Sequence, residues 1–242
     1  LKPFMVAGST GVRIQEFCLA HFRRYGFRVL LQGYRDFPAQ ICVSRNEVAA
    51  HGLPDLRPLE PGDLVTVDLA GTRRGYCADA AWTYLIPGDG TEREGLRVAA
   101  WEACLAGVVA GGEQRRKGAI GKAVQETAMR HGVHVLCRFA GHGIGRFLHE
   151  APQLAFLGIR QEGDVLDEGL VLNIEPILSR GPDIPAQGYP EAVIGTDGWS
   201  WVLPVGYFCA QFELSLSLGP GREWQVLNFA DTALVRSTTP PF

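Results

Sequence analysis

The chain contains two stretches in which an amphipathic helical pattern is followed by a glycine and a short apolar run. In the first, Ser9-Thr10 precedes apolar residues at helical spacing over Ile14–Phe22. This pattern predicts a capped helix that ends near Gly26. The apolar run Phe27–Leu31, which follows the glycine, has the composition of a β-strand.

The same order of features returns later in the chain. Ile120–Ala128 repeats the helical spacing, Gly132 interrupts it, and Val133–Cys137 has the composition of another strand. An alignment without gaps places Gly132 on Gly26 and keeps the order of helix, glycine and strand. We therefore predict two related halves that surround one site.

A β-hairpin is predicted between these two stretches. Leu64–Ala70 and Tyr76–Leu85 alternate in polarity and are joined by a turn that is centred on Arg73-Arg74. This centre predicts that Asp68 lies directly opposite Asp79, with Cβ atoms about 4.5–5.5 Å apart. Two opposed carboxylates repel each other unless a cation or a proton lies between them.

The remaining pattern adds one long helix and several strands. Thr91–Ala110 carries its apolar residues on one side, which predicts a helix. Strands are predicted at Val171–Ile174, at Trp199–Val202 and, as one alternating run, at Phe208–Leu218. Because no segment has the composition of a linker, we predict a single α+β domain over residues 1–242 with internal pseudo-symmetry.

Composition and charge narrow the class of partner. The chain has 242 residues, of which 46% are hydrophobic, so it can bury a substantial core. Its formal net charge is −3, and lysine and arginine form no long run. We therefore expect neither nucleic acid nor a membrane as a partner.

The cysteines and the apolar stretches bear on location. The six cysteines are scattered without CxxC spacing, which is typical of reduced thiols in a reducing compartment. The apolar stretches are too short to span a membrane, and the first residues lack the pattern of a signal peptide. We expect a cytoplasmic protein, and we expect it to be a monomer.

Five residues with metal-binding side chains lie in predicted strands or at strand ends: Asp68, Asp79, His142, Glu175 and Glu213. Taken singly, each is more simply explained as a turn acid, a strand-edge acid or a loop histidine. Together, four carboxylates and one imidazole suit two divalent cations. Two such metals about 3.5–4 Å apart can share a water, lower its pKa and direct it at a carbonyl or phosphoryl centre, so the set predicts hydrolysis.

The surroundings of these residues strengthen the metal interpretation. Val65–Leu69 and Leu172–Pro176 each place an acid at the end of an apolar strand, where burial without a counter-charge is unfavourable. Glycines flank His142, as expected if the backbone approaches a metal closely. His51 and His149 add imidazoles that a peptide hydrolase needs at the substrate amide and the oxyanion, although each is explained equally well as an ordinary polar residue.

A series of motifs from Lys2-Pro3 to the last predicted strand resembles type I methionine aminopeptidases. The motifs are Asn46-Glu47-Val48 with His51-Gly52, Gly62-Asp63 with Val67-Asp68, Asp79, Gly141-His142-Gly143-Ile144-Gly145 with His149-Glu150 and Pro152-Gln153, Ile174-Glu175-Pro176, Asp197-Gly198-Trp199, and Gln211-Phe212-Glu213. The resemblance implies the pita-bread fold, in which pseudo-twofold halves of antiparallel sheet are backed by helices. It also implies removal of N-terminal methionine from peptides or nascent proteins by a metal-bridging water or hydroxide.

The resemblance also implies a role for each metal ligand. Asp68 would bind one metal through both carboxylate oxygens, and Asp79 and Glu213 would bridge two metals. His142 and Glu175 would complete the other metal site, and Glu175 would also shuttle protons. Two divalent ions are thus implied, and Co, Mn, Fe and Zn all remain open as their identity.

Further residues match substrate-contacting positions of the family. His149 would polarise the scissile carbonyl or its oxyanion, and His51 would contact the amide nitrogen on the leaving side. The pocket for the methionine side chain would be lined by Tyr34, Phe37, Cys42 and Trp199. Their apolar, soft character suits a thioether.

Two other functions remain open. The chain has Leu31, Leu148, Leu214 and Ala80 where the family commonly has other residues, which favours a pita-bread hydrolase adapted to another amide, an X-Pro dipeptide or a specialised small molecule. The third possibility is a binding module without activity. Relatives of that kind lose metal ligands, whereas this chain keeps all five.

Overall fold

The computed structural model describes residues 1–158, 163–182, 189, 191–221, 223–228 and 240. Within them, α-helices lie at Gly11–Tyr25 (α1), Thr91–Gln114 (α2) and Lys117–Arg130 (α3), and single 3-10 turns at Lys2–Phe4 and Tyr34–Asp36. None of these described helices combines the length and hydrophobicity needed to cross a membrane. The strands in chain order are β1 (Arg28–Val29), β2 (Cys42–Arg45), β3 (Val48–Ala50), β4 (Leu64–Arg73), β5 (Tyr76–Leu85), β6 (His134–Val135), β7 (Ala140–Gly143), β8 (Glu150–Ala155), β9 (Val171–Ile174), β10 (Ile177–Arg180), β11 (Val193–Ile194), β12 (Trp201–Val202), β13 (Phe208–Gln211), β14 (Leu214–Leu218) and β15 (Trp224–Val226).

In the described part of the chain the strands form four antiparallel sheets. In the first sheet, β4 pairs with β1, β2 and β5. The other sheets have the orders β13-β10-β6, β11-β12-β3 and β15-β14-β9-β7-β8. Helices thus accompany antiparallel sheets, as predicted for an α+β protein.

Helix α2 lies at the centre of the main core. Its Trp101 is fully buried, with ring centroids 5.6 Å from Trp82 and 5.3 Å from Phe212. The helix packs against α3 and against β10, β13 and β14, which belong to two different sheets. Burial of this apolar face therefore holds the two sheets in a fixed relation.

Helix α1 has the ends that its sequence predicts. The Thr10 side chain accepts a hydrogen bond from the backbone N–H of Arg13 at 3.3 Å. Gly26 follows the helix with a φ of 70°, a left-handed conformation that glycine adopts without steric cost. The predicted capped helix is confirmed.

β1 and β6 occupy equivalent positions in the two halves. Each is a two-residue strand that follows a helix and a left-handed glycine. Equivalent hydrogen bonds join Phe27 N–H to Phe22 O at 2.8 Å and Val133 N–H to Ala128 O at 3.0 Å. The predicted repeat is confirmed. Both strands are shorter than predicted, because each has only two paired residues: β1 pairs with Gly71 and Thr72 of β4, and β6 pairs with Leu178 and Ser179 of β10.

Two further boundaries differ from the prediction. α2 continues past Ala110 to Gln114 and ends where Arg115 adopts a left-handed φ of 49°. The strand predicted from Trp199 begins only at Trp201. The Asp197 carboxylate accepts hydrogen bonds from the N–H groups of the two residues before β12, which holds them in a turn instead.

The β4–β5 hairpin is present, but its turn is shorter than predicted. Arg73 pairs with Tyr76, so the turn consists of Arg74 and Gly75 alone. Both residues have positive φ, 53° and 79°. Two consecutive left-handed residues are typical of the tight type I′ turn, which matches the twist of the strands that it connects.

The shorter turn changes the position of the two acids. Asp68 pairs with Ala81 and Asp79 pairs with Ala70, so the expected direct opposition of the acids is wrong. Asp68 also lies inside β4 rather than at a strand end. Because the register differs by an even number of residues, both side chains stay on one face of the sheet, as diagonal neighbours about 7–8 Å apart.

Glu175 and Glu213 lie where the chain leaves one sheet and enters another. Phe208–Leu218, predicted as one run, is divided at Phe212-Glu213 into β13 and β14, and β9 and β10 are divided in the same way at Glu175-Pro176. β10 pairs with β13 in one sheet, and β9 pairs with β14 in another. Proline has no N–H for a sheet ladder, which favours the break at Glu175-Pro176. At the other break, Phe212 forms an isolated β-bridge with Trp82.

Gly121 of α3 packs so closely against the chain at β8 that a side chain does not fit. A Cβ at this position would lie 2.6 Å from Ala155 O and 2.8 Å from Leu157 O. We expect Gly121→Ala to lower the free energy of unfolding by roughly 1–3 kcal/mol, despite the higher helix propensity of alanine. Urea-induced unfolding measures the change.

Gly95 of α2 provides the matched control. A Cβ there would meet Arg180 Nη1 at 3.7 Å, an ordinary contact. Gly95→Ala should therefore raise the free energy of unfolding by about 0.5–1 kcal/mol. An equal gain in both variants would contradict the close backbone contact at Gly121.

Candidate metal centre and active site

One cavity of about 230 Å³ brings together the site residues that were predicted from the sequence. It contains every predicted metal ligand, both predicted histidines and all the predicted pocket residues. Arg35 also lines the cavity and is not among the predicted residues. The lining consists of Leu31, Tyr34, Arg35, Phe37, Cys42, His51, Asp68, Asp79, His142, Leu148, His149, Glu175, Trp199 and Glu213.

The acidic residues reach the cavity from different parts of the fold. Asp68 and Asp79 come from the β4–β5 hairpin, whereas Glu175 and Glu213 come from the two points where strands are interrupted. Glu213 N–H donates a hydrogen bond to Ala81 O at 2.9 Å, and Ala81 is the residue paired with Asp68. The backbone thus fixes Glu213 beside the hairpin acids.

The four carboxylates disfavour one another's charged forms. Burial, and after it the charge of Glu175, raises the pKa of Asp68 to about 7. Burial and the nearby Asp68 and Glu175 raise the pKa of Asp79 well above its usual range. Burial and the neighbouring Asp79 do the same to the pKa of Glu213. The cluster therefore requires protons or a positive charge in its midst.

His142 presents one ring nitrogen to this cluster. Its Nδ1–H donates to Gly143 O at 2.9 Å, and its Nε2 lies 3.2 Å from Glu175 Oε1 and 4.0 Å from Asp79 Oδ2. Burial lowers the pKa of His142, but the hydrogen bond and the charge of Glu175 outweigh it, so the pKa is raised. A metal ion would take the place of the Nε2 proton, because the backbone bond already fixes the tautomer that exposes Nε2.

The donor set fits a divalent metal. Asp79, His142 and Glu213 each offer a ligand atom within 4.8 Å of the others. Glu175 Oε1 is buried beside His142 Nε2 and has no other hydrogen-bond partner within the described residues. Carboxylate oxygens and an imidazole nitrogen are the ligands that divalent first-row metals accept, so the residues present can hold such an ion.

Polar residues behind the cavity form hydrogen bonds to the side chains of the candidate ligands, and the sequence predicted no role for these polar residues. Asn173 Nδ2 donates to Glu213 Oε1 at 2.7 Å, and Ser215 Oγ donates to Asn173 Oδ1 at 2.8 Å. Gln211 Nε2 donates to Glu175 Oε2 at 3.2 Å. Asn173 is fully buried between apolar neighbours in β9, and a polar residue in such a strand is the signal that identifies it.

His149 is held by a tyrosine and stays neutral. Tyr34 Oη and His149 Nδ1 are 2.7 Å apart, and the ring centroids of His149 and His142 are 4.3 Å apart. Burial, and then the charges of His142, Arg35 and His51, lowers the pKa of His149 to about 4. A neutral imidazole that accepts a hydrogen bond from the Tyr34 hydroxyl at Nδ1 carries its own proton on Nε2. From Nε2 it can donate a hydrogen bond to a substrate.

Aromatic rings and a thiol form the wall of the cavity. Phe37 meets Trp199 edge to face, with ring centroids 5.6 Å apart, and its ring centroid lies 6.4 Å from that of His51. Cys42 pairs with Asp68 across β2 and β4. Burial and the nearby carboxylates raise the pKa of the Cys42 thiol well above its usual range, so this part of the wall is uncharged and polarisable.

The positions at which the chain departs from the family that it resembles divide into two groups. Leu214 is fully buried in the core and pairs with Ile174, and Ala80 borders a separate, mainly apolar cavity. Leu31 and Leu148 line the cavity that contains the acids. Of the four departures, these two lie where a substrate would touch them.

Known proteins are similar to this chain in both sequence and structure. The chain is 33% identical to methionine aminopeptidase A from Synechocystis sp., over 90% of this chain and 84% of that protein. Its structure matches methionine aminopeptidase from Thermotoga maritima with a TM-score of 0.85 at 30% identity, over 93% of this chain and 87% of that one. The predicted pita-bread fold is confirmed.

The fold alone is shared more widely. X-Pro aminopeptidase from Thermotoga maritima matches with a TM-score of 0.65 at 20% identity, over 93% of this chain but 54% of that one. Residues 2–235 match the sequence pattern of metallopeptidase family M24. Because that match spans nearly the whole chain and agrees with the more similar relatives, the chain belongs to metallopeptidase family M24.

Proposed function

We propose that this protein is a metal-dependent aminopeptidase that removes methionine from the N-termini of peptides or nascent proteins. The observation that carries the proposal is one cavity that combines a buried donor set for divalent metals, an apolar wall and two imidazoles. The relatives named as methionine aminopeptidases, which match most of the chain, support it. The chain would act as one catalytic domain.

Asp68, Asp79, His142, Glu175 and Glu213 are the proposed ligands of two divalent ions. Asp79 and Glu213, whose ligand atoms lie within 4.8 Å of each other and of His142, are the proposed shared ligands. When bound, such ions lower the pKa of a water and polarise a carbonyl oxygen. Co, Mn, Fe and Zn all accept this donor set.

Glu175 is the proposed proton shuttle. Gln211 Nε2 donates to its Oε2, while Oε1 lies beside His142 Nε2 and has no other hydrogen-bond partner within the described residues. Burial raises the pKa of Glu175, which makes the carboxylate a better base for the attacking water. As the water oxygen bonds to the carbonyl carbon and the C–N bond breaks, Glu175 passes the proton to the departing amine.

His149 and His51 are the proposed contacts of the peptide bond that is cut. With Nδ1 bonded to Tyr34, His149 donates from Nε2 to the carbonyl oxygen while negative charge develops there. His51 has a φ of 56°, and a non-glycine residue held in this conformation is common at functional sites. Its imidazole would contact the amide nitrogen on the leaving side.

The wall of the cavity suits the side chain of methionine. Tyr34, Phe37, Cys42 and Trp199 provide aromatic and sulfur surface without charge, which favours a flexible thioether. Leu31 and Leu148 add branched aliphatic surface. These two leucines favour a second candidate, hydrolysis of another amide or of an X-Pro dipeptide.

We also propose that the protein acts as a monomer in the cytoplasm. Its six cysteines are free thiols, and four of them are buried. Free thiols are the rule where the environment is reducing.

The function predicts release of methionine from a Met-Ala-Ser peptide. With Mn²⁺ or Co²⁺ added, we expect methionine release that a chelator stops and that Asp79→Ala abolishes, because the shared ligand is lost. Chromatography of the products measures the reaction. Hydrolysis of X-Pro dipeptides but not of methionyl peptides would favour the second candidate. If no peptide is hydrolysed with Mn²⁺, Co²⁺, Fe²⁺ or Zn²⁺, both candidate functions are wrong.

The support of Glu213 by Asn173 predicts a change in metal affinity. Asn173→Ala should weaken Mn²⁺ binding by roughly 10–100-fold, since loss of a residue that orients a ligand has an effect of this size. Isothermal titration calorimetry measures it. Gln125→Ala is the control, because this residue of α3 accepts a hydrogen bond from Gly158 N–H and does not line the cavity. Equal affinities in the two variants would contradict the role of Asn173.

The position of His149 predicts a loss of rate rather than of binding. His149→Ala should lower kcat by roughly 10²–10³-fold with little change in KM, because the lost donor acts on the developing oxyanion. Tyr34→Phe should cause a smaller loss of kcat. Steady-state kinetics measure both effects. His21→Ala is the control, because the imidazole of His21 contacts Phe17 O within α1. The role of His149 is refuted if His149→Ala retains the kcat of this control.

A further inference from the structure

Arg35 places a positive charge at the edge of the active-site cavity. Among the described residues that line this cavity, it is the one lysine or arginine. It is exposed, and it lies in a turn with a φ of 49°. Two hydrogen bonds close this turn, from Gly33 N–H to Phe37 O at 2.8 Å and from Phe37 N–H to Tyr34 O at 3.0 Å. The turn therefore fixes the place from which the side chain extends.

The guanidinium of Arg35 has its hydrogen-bond donors available. It lies 5.5 Å from the centre of the Tyr34 ring. Within the described residues it forms no ion pair with an acid. A cation–π contact with a ring forms no hydrogen bond, so it leaves the N–H groups of the guanidinium for a planar acceptor.

The position of Tyr34 relates Arg35 to the peptide bond that is cut. The Tyr34 hydroxyl is 2.7 Å from His149 Nδ1, and His149 is the proposed contact of the scissile carbonyl. The Arg35 guanidinium, 5.5 Å from the centre of that ring, is thus separated from His149 by one aromatic side chain. The cavity, at about 230 Å³, is smaller than most ligand sites of roughly 300–1,000 Å³, so it takes one residue and the following residues lie at its edge.

The charges of the lining decide what Arg35 attracts. The other charged side chains of the cavity are four carboxylates, the proposed ligands of the divalent ions, which leaves Arg35 as the cationic side chain in the lining that can meet an anionic group of a substrate. At the edge, the arginine favours an anion. An extended peptide advances about 3.3 Å per residue, so the second and third residues of a substrate reach this edge.

We propose that Arg35 selects substrates that carry a carboxylate on the leaving side of the cut bond. The inference rests on the proposed aminopeptidase function and adds the substrate class. The carboxylate comes from an acidic side chain near the N-terminus or from the C-terminus of a short peptide. In both cases the planar fork of the guanidinium binds it through two parallel hydrogen bonds.

Three peptides separate these two sources. Met-Ala-Gln-amide is neutral on the leaving side, Met-Ala-Glu-amide adds a side-chain carboxylate, and Met-Ala-Gln with a free C-terminus adds a terminal one. With the Mn²⁺-loaded wild type, we expect KM to be about two- to fivefold lower for at least one anionic peptide, the size typical of an exposed ion pair. The difference should disappear near 1 M NaCl, where the Debye length is about 3 Å.

Variants of Arg35 connect this preference to one side chain. Arg35→Gln should remove the difference in KM between the anionic and neutral peptides, Arg35→Lys should retain part of it, and Arg35→Glu should reverse it. Circular dichroism checks that each variant is folded. Arg24→Gln is the matched control, because Arg24 is also exposed and lies 5.6 Å from the centre of the Tyr25 ring, outside the cavity. It should keep the wild-type preference.

The outcomes distinguish this inference from the function on which it rests. If the wild type cleaves the neutral peptide but shows no preference for either anionic one, the inference is overturned and the aminopeptidase function stands. The same holds if the preference survives in Arg35→Gln or is lost equally in Arg24→Gln. If no peptide is cleaved, the proposed function fails and this inference fails with it.

Discussion

Repulsion among four carboxylates inside one cavity is the constraint on which the rest of this structure depends. The hairpin register and the hydrogen bond from Glu213 N–H to Ala81 O hold Asp68, Asp79 and Glu213 close together, and Glu175 lines the same cavity. Their raised pKa values show that the folded chain disfavours the fully charged state. A cation bound among these carboxylates would remove their repulsion, and His142 adds an imidazole nitrogen to the same donor set.

The geometry of the centre follows from how strands end. The interruptions at Glu175-Pro176 and Phe212-Glu213 move the chain from one sheet to the next, and each leaves a glutamate at the junction. Helix α2 packs under strands of both sheets, with Trp101 against Phe212. The same core packing that stabilises the protein therefore sets the distances between the ligands.

The chemical type of the side chains that line the cavity changes from its inside to its edge. Carboxylates and His142 lie innermost, the Tyr34–His149 pair lies beside them, and an uncharged wall that includes Cys42 surrounds both. Arg35 stands at the edge. The two departures from the family that touch this cavity, Leu31 and Leu148, lie in its wall and not among the proposed metal ligands.

Local patterns in the sequence determined the capped helix α1, the repeat of helix, glycine and strand, and the set of ligand types, because caps, spacing and motif order are properties of neighbouring residues. Tertiary structure alone decided the hairpin register, which depends on left-handed backbone at Arg74 and Gly75. It also decided the supporting role of Asn173 and the place of Arg35 at the cavity. These features depend on partners that are distant in the chain, and packing of the two halves, not local preference, brings such partners together.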